Sequence, residues 1–223
     1  MLSVTREVTL ERIQPWTLEH GTLWAIDAED RLPPPCSARI QTEFAEVRGD
    51  ELDELAGAMN LPNPDLIQQR LQSNRRCFIM RAAGQIVAYG WVTRGAECVG
   101  ELERQFHLHS DEAYIWDCGT VPAWRGQRCY SALLSQLIRE LRREDIGRIW
   151  IGASRHNHAS TRGFANAGFN HVVDLTYGRV YRLTLMWIYR ANAARRPLVA
   201  AAFRILVNAH ERRIGPLVLG YKP

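Results

Sequence analysis

The chain has 223 residues, of which 46% are hydrophobic and 23% charged, with a net charge of +4 and a pI near 8.9. That apolar content can bury a core, and no long charge block is present, which excludes wholesale disorder. The mild positive charge suits a small polyanion but leaves no footprint for nucleic acid.

Residues 1–37 read as an N-terminal extension, with a strand in "GTLWAIDAED" and a stiff, extended break at "RLPPPC". A main domain over 38–190 opens on a strand in "ARIQTEFAEV". "GDELDELAGAMN" follows as a helix with acidic residues at its start, and "NPDLIQQRLQSN" as a second, opened by Asn63 and Pro64. "RCFIMRAAGQIVAYGWVTRG" is a hairpin turning at Gly84, "VGELERQFHL" alternates like another strand, and "EAYIWDCGTV" is a further one. From Ser131 the apolar positions Leu133, Leu134, Leu137, Ile138 and Leu141 form the stripe of an amphipathic helix. Arg139, Glu140, Arg142, Arg143 and Glu144 form its solvated side. "RIWIGA" is a short buried strand, and "NHASTRGFANAGF" a helix closed by Gly168. Two strands fill 170–190, joined near "TYGR", and the tail at 191–223 holds one helix. This order predicts a mixed α/β (α+β) domain without the repeated βαβ units of a doubly wound fold.

The cysteines, Cys36, Cys77, Cys98, Cys118 and Cys129, are scattered and odd in number. They give no zinc pattern and no disulfide framework, so no metal is expected and a reducing cytoplasm is the expected compartment. The N-terminal stretch is charged and lacks the apolar core of a signal peptide, and no run is long enough for a membrane span. Lys222 is the sole lysine. Arginine suits phosphate oxygens wherever it lines a pocket.

The stretch "VPAWRGQRCYSALL" leaves a strand, turns at Arg125-Gly126 and enters a helix. The first amides of a helix have no internal partner, and with a tight turn they converge on one point at the positive end of the helix dipole. A pyrophosphate fits such a place, and Gly126 lets the backbone approach it. One strand further on comes "NHASTRGFANAGF". The two segments together resemble the GNAT family of acetyl-CoA-dependent N-acyltransferases over roughly residues 38–185. The lead is Thr120-Val121-Pro122-Ala123-Trp124-Arg125, and the later helix carries Asn157, Ser160, Phe164, Gly168 and Phe169. Residues Cys77 to Val92, Gly100-Glu101-Leu102 and Ala113 to Tyr130 further resemble a bacterial subgroup of that family with no settled substrate.

The resemblance implies a mostly antiparallel sheet, flanked by helices and splayed beside residues 113–121. The pantetheine arm of CoA would pair as a pseudo-strand with the backbone of Cys118, Gly119, Thr120 and Val121. The loop of Arg125, Gly126, Gln127, Arg128, Cys129, Tyr130 and Ser131 would hold the pyrophosphate, and Asn157, Ser160 and Phe164 would line the arm. An amine would attack the thioester directly, with a strand amide polarising the carbonyl. The chain departs from the family pattern at Thr120, where valine is usual, and in three further places. Arg128 stands at the middle glycine of the loop, Tyr130 at its last small position, and Phe164 where a proton-donating tyrosine is usual.

Asp117 on the strand entering the loop and Glu101 on the preceding one are the candidate general bases, the former equally a structural partner of an arginine. His107, His109, His156 and His158 read as surface or helix-start residues, and Cys118 and Cys129 as packing residues. Trp91, Trp116 and Trp150 fall in predicted strands, as core or as one wall of an acceptor pocket. The expected function is acetyl transfer from acetyl-CoA to a primary amine of a small molecule, with a homodimer left open. A non-catalytic binding module, and a longer acyl-CoA or acyl carrier protein donor, are the alternatives.

Overall fold

The computed structural model describes residues 18–73, 75–99, 102, 104–180 and 183–221. The elements in chain order are β1 (Leu18–Ile26), β2 (Glu43–Glu46), α1 (Leu52–Met59), α2 (Asp65–Gln72), β3 (Arg75–Ala82), β4 (Gln85–Thr93), β5 (Ala96–Val99) and β6 (Arg104–His107). They continue with β7 (Glu112–Thr120), α3 (Cys129–Arg143), β8 (Arg148–Ser154), α4 (His158–Ala167), β9 (Asn170–Val180), β10 (Leu183–Arg190), α5 (Arg196–Leu206), β11 (Arg212–Ile214) and β12 (Leu217–Tyr221). Ten strands form one sheet in the order β11-β12-β10-β9-β1-β8-β7-β4-β3-β2, and β5 and β6 pair separately. β7 and β8 run parallel with α3 as their crossover, while the other neighbours in the sheet are antiparallel. The mixed, mostly antiparallel sheet expected from the sequence is therefore present.

Local chemistry explains the clearest elements. The β3–β4 hairpin closes on Ala83 (φ 48°) and Gly84 (φ 79°), the paired left-handed conformation whose twist matches the flanking strands. Along α3, Leu133, Leu134, Leu137, Ile138 and Leu141 are all buried against the sheet. Each contributes about 2 kcal/mol relative to exposure. α4 opens with the Asn157 side chain accepting from the Ser160 amide at 3.1 Å and ends at Gly168, φ 99°.

α3 and α4 cover one face of the sheet. The opposite face is shared: α1 and α2 pack on the β3–β4 half, while α5 and the β5–β6 hairpin pack on the half holding β1, β8, β9 and β10. Both faces of the central strands are therefore apolar. In β1, Trp24 and Ile26 face the α3–α4 side and Leu23 and Ala25 the other. This strand belongs to the stretch read as an extension, yet it lies mid-sheet between β8 and β9.

The residues after β1 are strapped along α3. Arg139 donates to Pro33 O at 2.8 Å, Arg142 to Asp27 O at 2.5 Å, and the Cys36 amide to Ser135 Oγ at 3.1 Å. Arg139 and Arg142, expected on a solvated face, thus bind backbone carbonyls instead. The tail also differs from the single helix expected, because β11 and β12 follow α5 and extend the sheet from β10. β9 runs past Gly178 to Val180, so "TYGR" is strand and not turn. Among the described residues no helix is long and apolar enough to cross a membrane.

Candidate functional site

β7 and β8 pair from Glu112↔Arg148 to Ile115↔Ile151 and then part. Beyond that point β7 follows β4 as far as Thr120↔Ala88, while β8 follows β1 as far as Ser154↔Gly21. A bulge marks the divergence: the register passes from Trp116↔Trp91 to Gly119↔Tyr89, so Asp117 and Cys118 together face Gly90. Asp117 takes the left-handed conformation, φ 41°, that Asp tolerates better than most side chains. Gly90 makes room for the bulge, since a Cβ there would lie 2.8 Å from Cys118 Sγ. Residues 116–120 thereby expose one backbone edge to the gap, and the buried Thr120 Oγ1 has no partner among the described residues.

At the end of β7 the chain turns through Pro122–Trp124 and enters α3. Gly126 has φ 81°, and a Cβ there would meet nothing within 4 Å, so the turn is open above it. Arg128 is the N-cap of α3 at φ 61°, ψ 16°. It holds with an arginine the left-handed backbone that a glycine adopts freely, which keeps the course of the loop at a cost of about 1–2 kcal/mol. The amides of 126–131 have no backbone acceptor among the described residues. The loop is steadied from behind, where the Arg39 amide donates to Gln127 O at 2.8 Å and its guanidinium to Gly126 O at 3.4 Å.

Tyr130 points from the first turn of α3 toward α4. Its ring lies 6.4 Å from that of Phe164, and burial, with Cys118 nearby, pushes its phenol well above the ordinary range against a hydrogen bond with Ser160. Phe164 is buried between Trp24, Tyr130 and Phe169, within the core of the α3–α4 side. The thiols of Cys118 and Cys77 are both raised by burial, so neither offers a thiolate.

On the opposite face, the gap opens into a cleft of about 320 Å³ lined by Glu97, Cys98, Val99, Tyr114, Trp116, Asp117 and Gly152. Asp117 Oδ2 accepts from Arg70 Nη1 at 2.6 Å, so the candidate base is also the ion-pair partner of an arginine. Arg70 lies over the Trp116 ring at 5.0 Å and Arg75 at 5.3 Å. Arg75 in turn grips the buried Glu97 with two hydrogen bonds, 2.7 and 2.8 Å. Tyr89 lies across β7, its hydroxyl 2.5 Å from where a Gly119 Cβ would stand, and burial followed by the Asp117 charge raises its phenol. Trp116 forms a wall of this cleft, whereas Trp91 and Trp150 are fully buried. Glu101, the other base candidate, lies outside the described residues. Arg70, Glu97 and Gly152 carry no motif signal and are brought to the site by pairing and packing alone, whereas Tyr89 lies within the segment Cys77 to Val92.

These features fit a ligand with an anionic centre and an extended amide-bearing arm. The helix terminus offers converging N–H groups, the open edge of β7 offers strand pairing, and Thr120 Oγ1 waits for a polar partner. Acetyl-CoA has both parts.

Comparison with known proteins agrees. Among curated proteins no sequence matches significantly. Among solved structures, the fold is similar to a GCN5-related N-acetyltransferase from Sphaerobacter thermophilus, with a TM-score of 0.54 and 13% identity over 81% of this chain and 55% of that one. It is also similar to an acetyltransferase from the GNAT family of Colwellia psychrerythraea, with a TM-score of 0.52 and 12% identity over 78% of this chain and 57% of that one. This chain therefore spans little more than half the length of either, and at these identities the likeness is one of fold. The sequence model of the acetyltransferase (GNAT) family matches residues 41–169, from before β2 to just past α4. That match takes in more than half of the chain, both loop segments and both splayed strands, and the chain belongs to the GNAT family of acetyltransferases.

Proposed function

We propose that this chain transfers an acetyl group from acetyl-CoA to the primary amine of a small molecule. The parting of β7 from β8 carries the reading. It links an anion cradle at the start of α3 on one side of the sheet with an open cleft on the other. Acetyl-CoA supplies an acyl group activated as a thioester.

The residues divide the work by position. Amides of 127–131, with the Arg125 and Arg128 guanidinium groups, hold the pyrophosphate. The backbone of Cys118 to Val121 takes the arm along the open edge, and Asn157 and Ser160 at the start of α4 close over it. A backbone N–H of the same stretch polarises the acyl oxygen. Arg70 fixes Asp117 through Oδ2, leaving Oδ1 to take the amine proton directly or through water. Glu101 is the second candidate base. The acceptor nitrogen bonds to the acyl carbon, and the carbon–sulfur bond breaks with its electron pair on sulfur. The proton lost by nitrogen ends on that sulfur.

The test has two stages. Calorimetry is expected to give saturable binding of acetyl-CoA and of CoA, and thiol release is expected with a subset of primary amines. Asp117→Asn is expected to lower kcat about 100-fold, the low end of general-base contributions. Absence of saturable binding by either ligand overturns the reading. Binding without turnover on any amine reassigns the chain as a binding module.

A further inference from the structure

The cleft beside Asp117 does not end at β8. A second, smaller pocket of about 50 Å³ lies behind it, and both are lined by Val99, Tyr114 and Gly152. The wall of the inner pocket is mostly apolar, with Leu23, Leu102, Phe106 and Leu175 around it. Its polar neighbours are engaged: Thr22 Oγ1 donates to Ala153 O at 3.3 Å, and Tyr177 OH donates to Glu19 Oε2 at 2.9 Å.

Gly152 stands where the two spaces meet. A Cβ there would lie 3.3 Å from Thr22 O, 3.4 Å from Tyr114 OH and 3.8 Å from Leu23 Cδ1. Its φ is not in the left-handed region, so the backbone conformation does not require glycine. What the missing side chain leaves is room at the junction.

The outer cleft has balanced charge. Asp117 is paired with Arg70 and Glu97 with Arg75, and the two guanidinium groups flank Trp116. Arg70 takes only Oδ2 of Asp117, which leaves Oδ1 to face one ammonium. Among the described residues no carboxylate lines the inner pocket, so a second ammonium there would lose its hydration without a counter-charge.

We infer that the acceptor is a small aliphatic primary amine with a single positive charge, whose nitrogen lies by Asp117 and Trp116 and whose short apolar end passes Gly152 into the inner pocket. The volume suits a few methyl-sized groups and no aromatic ring. The inference rests on the acetyltransferase reading above and narrows its substrate. The ammonium loses two protons over the transfer: the first goes through Asp117 to solvent and frees the lone pair, nitrogen then takes the acyl carbon, sulfur keeps the electron pair of the broken bond, and the second proton passes from nitrogen to that sulfur.

The experiment is thiol release by the full chain with acetyl-CoA and linear monoamines from ethylamine to hexylamine, beside putrescine, cadaverine and spermidine. kcat/KM is expected to rise about 4-fold per methylene until the pocket is full, the worth of one buried CH₂. Each monoamine is expected to exceed the diamine of equal chain length by about 10-fold or more. Gly152→Val is expected to flatten the length series, and Gly152→Ala to flatten it in part, a milder change should valine disturb folding. The slope across the series is read, not the absolute rate. A flat wild-type series, diamines equal to monoamines, or a slope unmoved in both variants overturns the inference. So does CoA binding with no turnover on any monoamine. Failure of acetyl-CoA and CoA to bind in calorimetry removes the acetyltransferase reading itself, which separates the two failures.

Discussion

Tyr130 occupies the space that a side chain at residue 163 would fill: a Cβ on Gly163 would lie 2.5 Å from Tyr130 Cδ1. The large residue in the loop motif of α3 is thus matched by a missing one in α4. Glycine inside a helix ordinarily costs about 1 kcal/mol relative to alanine. Here the ring reverses that preference. Gly163→Ala is expected to destabilise the chain by about 1–3 kcal/mol through overpacking. In a Tyr130→Ala background the same change is expected to stabilise it. Urea midpoints for the four proteins of this cycle give the coupling, and equal effects of Gly163→Ala in both backgrounds contradict it.

Arg128 answers the same question at the middle position of the loop. Its backbone is already in the left-handed conformation that glycine prefers, so Arg128→Gly relieves strain while loosening the unfolded chain. The two terms are of similar size, and the melting temperature is expected to move by less than about 4 °C. Binding is where the side chain counts. If its guanidinium meets the pyrophosphate, loss of one charge-assisted contact weakens CoA about 10-fold and reduces the salt dependence of Kd. Calorimetry at two ionic strengths decides it, and tighter CoA binding by the glycine variant would mean that Arg128 crowds the cradle.

Phe164 cannot give a proton, yet two phenols stand beside the opened stretch of β7. Tyr130 is hydrogen-bonded with Ser160, whereas the Tyr89 hydroxyl lies against Gly119. Burial raises both, so both stay protonated through the neutral range. Tyr89→Phe is expected to lower kcat about 10-fold with little change in the Kd of CoA, and Tyr130→Phe chiefly to change that Kd. Steady-state kinetics and calorimetry on the two variants separate these outcomes, and an unchanged kcat in Tyr89→Phe removes Tyr89 as the proton source.

What could be read from the sequence divides by distance along the chain. The loop at 125–131, the stripe of α3 and the Gly168 stop of α4 are local patterns, and the structure has the corresponding elements where the spacing puts them. The strand in "GTLWAI" is equally visible, but its neighbours are not. Thr22 meets Ala153 at a separation of 131 positions, so no local signal says that an apparent extension fills the middle of the sheet. Arg70 reaches Asp117 across 47 positions by the packing of α2, which is why a plausible base could not be told from an ion-pair partner. The bulge at Asp117 depends on the room left by Gly90 on another strand, and the cleft wall at Gly152 on the parting of β8 from β7. The C-terminal hairpin was hidden by composition, since "ERRIGPLVLG" is short, opens on three charged residues and is broken by Gly215 and Pro216 beside a strong helix.

Glu112 sits at the other end of β7 and ties together the half of the molecule that carries the inner pocket. It is 1% exposed and accepts from Arg148 at 3.0 Å, Arg204 at 2.5 Å and the His109 amide at 3.0 Å. Burial alone would push its carboxyl up, but the His109 amide, Arg204 and Arg148 outweigh it and hold the group below its ordinary value. The sign follows from linkage. A folded value below the unfolded one contributes stability that is complete above the ordinary glutamate pKa, about 4.3, and is lost as pH falls through the folded value. Glu112→Gln is therefore expected to lower stability near pH 7 by about 3 kcal/mol, since it leaves two guanidinium groups without their buried partner. The gap between parent and variant is expected to narrow on acidification below about pH 4. Urea midpoints across that range measure it, and a gap that stays constant with pH would show that the charge of Glu112 does not hold β8 and α5 to β7.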